Sequence, residues 1–118
     1  MKIFRLTLVT ENQNSLEKGE KFAKLICEIL NCENGFNISK YEKLKNSYRI
    51  EIIGKITENN NSISESIELT DRICSPWTVN YDRSENDVEL IFNKSDFSNY
   101  RNNNFNVLNW AQFGTENK

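Results

Sequence analysis

Seven carboxylates fall within 25 residues of this chain: Glu65, Glu68 and Asp71, then Asp82, Glu85, Asp87 and Glu89. Carboxylates at that density can do three kinds of chemistry. A facing pair can work as general acid and base, a ring of oxygens can hold calcium, and a surface row can draw in a basic protein. Their order does not follow the spacing of a calcium-binding loop, so no calcium site is expected. Whether two of them face each other depends on a separation that sequence does not give. The expectation is therefore an acidic patch: Glu65, Glu68 and Asp71 on a helix, Asp82, Glu85 and Asp87 on a hairpin. The plain alternative is a solvated surface. Phe97 and Tyr100 stand out beside these groups, because they interrupt a polar stretch over 94–104. Either they pin that loop to the domain, or they anchor a partner, since aromatic side chains are enriched where binding energy concentrates.

Much other chemistry is ruled out by what the chain is made of. It contains no histidine, which removes histidine-dependent triads, histidine zinc sites and the best proton carrier near neutral pH. Cys27, Cys32 and Cys74 are too few for a four-cysteine zinc site and lack CxxC spacing. They are expected to be reduced thiols packed as small apolar groups. Glycines at 19, 35, 54 and 114 form no phosphate-binding loop. Lys40, Tyr41 and Tyr48 have reactive groups but no pattern that recruits them. No cofactor and no metal ion are expected, and the chain reads as a binding protein more than as an enzyme.

With 118 residues, one domain is expected, large enough to fold without crosslinks. No apolar run approaches the roughly 20 residues of a membrane span. The opening MKIFRLTLVTEN has the look of a leader, but Arg5 and Thr7 interrupt it and no small-residue cleavage site follows. A first strand and a cytosolic location are the expectation. The net charge of −2 divides unevenly: residues 1–60 hold ten Lys/Arg against eight Asp/Glu, and residues 61–118 hold five against nine. An acidic second half argues against a nucleic-acid partner, which wants a basic stripe. Asparagine is abundant, with runs at 59–61 and 102–104 that read as loops.

These residues need elements to carry them, and the periodicity supplies a set. Residues 2–10 alternate, with Phe4, Leu6 and Leu8 facing one way, as a half-buried strand does. Asn14 with Glu17 predicts an N-cap and its reciprocal carboxylate, opening a helix over 15–31 with Phe22, Ala23, Ile26, Ile29 and Leu30 on one stripe. Gly35 is expected to end that segment in a left-handed conformation. Residues 36–45 and 48–56 predict a hairpin around Asn46 and Ser47, its first strand a charged edge. Ser62 with Glu65 predicts a second capping box, with Ile63, Ile67, Thr70, Ile73 and Cys74 inward and Pro76 as the stop. Strands follow over 77–81, 88–93 and 105–113, then a tail over 114–118. Trp77, Tyr81, Phe92, Phe105 and Trp110 lie in alternating strands, where burial is the ordinary outcome.

The element order is thus β-α-β-β-α-β-β-β. It predicts an α+β two-layer sandwich: a largely antiparallel sheet of five to six strands with both helices on one face. The first six elements have the ferredoxin-like order, with two strands appended.

The segments ICSPWTVNYD, DVELIFNKS and FNVLNWAQF resemble small immunity proteins of bacterial contact-dependent growth inhibition systems. The resemblance implies a cytosolic protein that binds a toxin domain delivered by a neighbouring cell, expected to be a nuclease, and blocks it one to one. Nuclease toxins are commonly basic, so the acidic patch would steer the encounter, with Phe97 or Tyr100 as apolar anchor. Two other readings stand beside it: an adaptor or scaffold subunit, and a carboxylate-dependent enzyme.

Overall fold

A computed structural model describes residues 1–57 and 61–117. Its strands are β1 (Lys2–Thr10), β2 (Asn37–Lys40), β3 (Tyr48–Lys55), β4 (Cys74–Ser75), β5 (Thr78–Asp82), β6 (Asp87–Asn93), β7 (Asn99–Tyr100) and β8 (Leu108–Asn117). The helices are α1 (Leu16–Leu30) and α2 (Ser62–Asp71), with one 3-10 turn at Asn103–Phe105. Six strands form one sheet in the order β2-β3-β1-β8-β6-β5, antiparallel throughout, while β4 and β7 make a separate two-stranded ribbon. The α+β sandwich expected from the periodicity is the observed architecture.

The topology refines the ferredoxin-like expectation in one respect. The place beside β1 that the fourth strand of that order would take is occupied by β8, the last strand, and the β5–β6 hairpin is inserted before it. Burial explains the choice. Phe113, Ala111 and Leu108 are completely buried on β8, as a central strand requires, whereas every residue of β5 is exposed. The expected tail belongs to this strand too, since Gly114 pairs with Arg5 and Asn117 with Lys2.

One sheet face forms the interior. Phe4, Leu6 and Leu8 of β1 meet Ile50 and Ile52 of β3, Phe113 and Ala111 of β8, and Val88, Leu90 and Phe92 of β6. Both helices cover this face: Phe22, Ala23 and Ile26 come from α1, Leu69 and Ile73 from α2 and its end. Phe4 stacks on Phe113 with ring centres 4.8 Å apart, and Phe22 meets Phe105 edge-on at 6.0 Å. Burial of large side chains on this scale, about 1.5–3 kcal/mol each, supplies the main stabilisation. Cys27 and Cys74 are buried here and Cys32 is half-buried; all three thiols are free. Burial pushes the Cys74 thiol up to about 12 and that of Cys32 to about 11.

Several local expectations are corrected. Ser15, not Asn14, caps α1, its hydroxyl accepting the Lys18 N–H at 3.3 Å from an extended backbone. Asn31 takes the left-handed C-cap, four residues before Gly35, whose own φ is 78°. The strand expected over 36–45 is only Asn37–Lys40, and Asn46 turns the chain with φ 56°. Asn61, not Ser62, caps α2 by accepting the Ile63 N–H at 2.9 Å, and the Glu65 carboxylate is held by Thr57. The buried stripe of α2 runs through Ser62, Ser66, Leu69 and Thr70, leaving Ile67 46% exposed. Small serines let the helix lie close on the sheet, and the Thr70 hydroxyl is satisfied by the Ser66 carbonyl at 2.8 Å.

Candidate functional site: the uncovered sheet face

The same alternation that fills one face of the sheet leaves the other without a covering helix among the described residues. Register places its side chains in rows. Arg49, Val9, Trp110 and Asn93 lie abreast on β3, β1, β8 and β6; Glu51, Thr7, Gln112 and Ile91 follow, then Ile53, Arg5, Gly114 and Glu89. Trp110 belongs here by plain alternation, one residue before the inward Ala111 and three before the inward Phe113. The irregularity falls just beyond it, between Val9 and Thr10, where Thr10 pairs with the buried Leu108 and Asn109 is passed over. This corrects the expectation of a buried Trp110, which is half-buried.

A hollow of about 530 Å³ opens on this face, floored by Thr7, Val9 and Trp110 and walled by Tyr41, Arg49 and Lys94. A second, of about 260 Å³, continues it across Arg5, Gln112 and Gly114. Gly114 matters, for a Cβ added there would meet nothing within 4 Å. The polar groups are held by neighbours: Arg49 bridges to Glu51 at 3.1 Å, Arg5 to Glu116, and Gln112 donates to Glu89 at 2.7 Å. Lys94 donates to Glu11 at 2.6 Å and to the Asn106 carbonyl at 3.0 Å. Exposed pairs of this kind contribute about 0–1 kcal/mol each to stability. Their larger effect is to fix a patterned surface of aromatic, cationic and amide groups.

Phe97 stands where β6 ends, just past Lys94. It is 85% exposed, yet its turn is ordered: the Phe97 N–H donates to the Ser95 hydroxyl at 3.1 Å, the Ser95 N–H to the Ser98 hydroxyl at 2.8 Å, and the Ser98 N–H to the Ser95 carbonyl at 3.1 Å. Tyr100, three residues on, does the opposite. Its ring meets Phe92 edge-on at 5.8 Å, its hydroxyl donates to the Leu108 carbonyl at 2.8 Å, and burial raises its pKa. Of the two aromatics, Tyr100 pins the loop and Phe97 is presented.

Most carboxylates of the anticipated acidic patch are engaged by partners of their own. Glu65 accepts the Thr57 N–H at 2.9 Å and its hydroxyl, Glu68 pairs with Arg72 at 2.7 Å, and Asp71 pairs with Arg101 at 2.6 Å. All three stand on the helical layer. Asp82 accepts from the Ser84 hydroxyl at 2.7 Å and from the Ser84 and Glu85 N–H groups, which hold its carboxyl below the usual range. Asp87 bridges to Lys2 at 2.6 Å and accepts from Thr115 at 3.1 Å. Of the seven candidate carboxylates, Glu85 alone has no ion pair or side-chain hydrogen bond to another described residue. It and Phe97 sit beyond opposite ends of β6, separated by about 20 Å at roughly 3.3 Å per residue.

Burial of the other strand aromatics also departs from expectation. Phe92 and Phe105 are buried, the latter in the 3-10 turn. Trp77 is half-buried, its indole N–H donating to the Cys74 carbonyl at 2.7 Å, and Tyr81 is 44% exposed on the edge strand. Sequence reasoning missed Trp110, Gly114, Arg49 and Thr7 as a group. The available signal was Arg5 and Thr7 on the polar side of an alternating first strand.

Among the described residues no group of three or more His, Cys, Asp or Glu side chains is placed to hold a metal ion. No helix among them is long and apolar enough to cross a membrane. Comparison with protein-family models, with curated proteins and with solved structures finds no match for this chain. What fold and surface together define is a two-layer α+β domain with one open, patterned sheet face.

Proposed function

We propose that this chain is an immunity protein that acts in the cytosol by binding a basic toxin domain, a nuclease, and occluding it one to one. The observation that carries this reading is Phe97, a large apolar side chain held 85% exposed at the tip of an ordered turn. A rigid aromatic at a rim loses little conformational freedom on binding, which is how anchor residues act. The open face beside it supplies area and fixed polar groups, and the acidic second half of the chain would favour encounter with a basic partner. The contact surface is thereby moved from the α2 carboxylates to the sheet face and the Phe97 turn.

Co-expression with the protein encoded immediately upstream tests the proposal. Rescue of growth and a co-purifying complex are expected, and Phe97→Ala or Gly114→Trp should weaken that complex by about tenfold or more. Free passage of both proteins sinks the toxin reading. A complex unaffected by either substitution retains a binding role and removes this face from it.

A further inference from the structure

The two edges of the sheet are built differently. β2 is four residues long, ends on Lys40 and is followed by Lys43 and Lys45, the charges that discourage edge-to-edge pairing. β5 has no lysine, no proline and no register irregularity along its five residues, all of them exposed. Val79 and Tyr81 pair with Leu90 and Val88, so they lie on the helix-covered side of the sheet, yet they remain 43% and 44% exposed. The α1-facing flank of α2 is marked by Arg72, which donates to the Ile29 carbonyl at 2.9 Å. Its other flank carries Ile67, also exposed, and points toward the β5 side of the layer. An unprotected backbone edge therefore runs beside exposed apolar side chains.

From this geometry we propose that β5 pairs antiparallel with β5 of a second copy of this chain, about a twofold axis at Asn80, joining two six-stranded sheets into one. The strand is complementary to itself in that register. Val79 falls opposite Tyr81 of the second copy and Tyr81 opposite its Val79, giving two aromatic against β-branched pairs, a favourable cross-strand combination. Thr78 falls opposite Asp82, so no like charges meet, and the next position sets Arg83 across from Trp77, a guanidinium beside an indole. Shifting the axis by one residue to Val79 or Tyr81 keeps both helical layers on the same side but loses part of the five-pair ladder. Self-pairing leaves the open face and Phe97 uncovered, so it is independent of the toxin-binding role. The contact is smaller than the roughly 800 Å² per partner of a standard interface, so association belongs to the weak, concentration-dependent class.

Sedimentation velocity of the full chain from about 10 µM to about 1 mM reads it out across the range expected of so small an interface. The mass should rise from 13.9 kDa toward twice that value. Val79→Lys with Tyr81→Lys, which sets lysines against lysines on exposed positions, should weaken association by at least about tenfold. Val79→Lys with Tyr81→Glu, which sets each lysine against a glutamate, should recover most of the loss. A single species of 13.9 kDa at the highest concentration overturns the proposal. So does a dimer indifferent to the double lysine variant, or a V79K/Y81E chain no better than V79K/Y81K. Capture of an extended segment of another protein on β5, with the chain itself monomeric, overturns it equally.

Discussion

Two glycines, each opposite a residue of β1, summarise how unlike the two faces of one sheet can be. Gly54 pairs with Phe4 on the covered face, and a Cβ there would come within 2.4 Å of the Phe4 ring and 3.1 Å of the Cys32 sulfur. Gly114 pairs with Arg5 on the open face, and a Cβ there would meet nothing. The first glycine exists because the interior is full; the second leaves a hollow where a side chain would fit. Interior packing at crystal-like density dictates residue size, whereas an open face answers to whatever docks on it. Stability should therefore follow substitutions on one side and binding should follow those on the other.

The covered face should yield the largest effect. Phe92 is completely buried between Trp77 and Tyr100, with ring centres at 5.6 and 5.8 Å. Phe92→Ala removes the ring on which the β4–β7 ribbon rests and should cost about 3–5 kcal/mol in chemical denaturation. A loss below about 1 kcal/mol would mean that this part of the interior is not closely packed. The glycines come next. Gly54→Ala should destabilise by about 1–3 kcal/mol, because the Phe4 ring is stacked on Phe113 and has nowhere to move. Gly114→Ala should stay within about 0.5 kcal/mol of the parent. Equal effects at the two positions would break the distinction between the faces.

How much of this was legible depends on which face is asked about. Alternation alone puts Phe4, Leu6 and Leu8 on one side of the first strand, and all three are buried with Phe92, because period-2 patterning is a direct consequence of burying one side of a strand. The open face was less legible, since Trp110 turns outward only once Ala111 and Phe113 are fixed as the inward set of β8. β8 was cut short after Phe113 because Thr115, Glu116 and Asn117 read as polar tail, although Thr115 is buried and accepts the Val88 N–H at 2.9 Å. The partners of the acidic residues were hidden for a related reason. Asp87 with Lys2 and Asp71 with Arg101 are partners 85 and 30 residues apart, and no local spacing announces a distant cation. Phe97 was legible as a candidate because apolar residues in polar loops are few, but its separation from Tyr100 in role needed the Leu108 carbonyl.

The smallest effect belongs to the tip of the β5–β6 hairpin, outside both faces. Asp82 is fully exposed, and its carboxyl is held below the ordinary value of 3.8, first by the Ser84 hydroxyl and then by the Glu85 and Ser84 N–H groups. A carboxyl whose pKa is lower in the folded chain than in the unfolded one contributes stability above the unfolded value and loses it as pH falls through the folded value. Asp82→Asn keeps the shape and removes the charge, so the parent should be slightly more stable than the variant at neutral pH. That difference should fade as pH is lowered below 3.8. Parallel denaturation curves of the two chains across that range measure it. A difference that persists unchanged in acid would assign the turn's stability to side-chain shape instead of charge. A difference as large as that of Gly54→Ala would make this exposed tip as demanding as the filled interior.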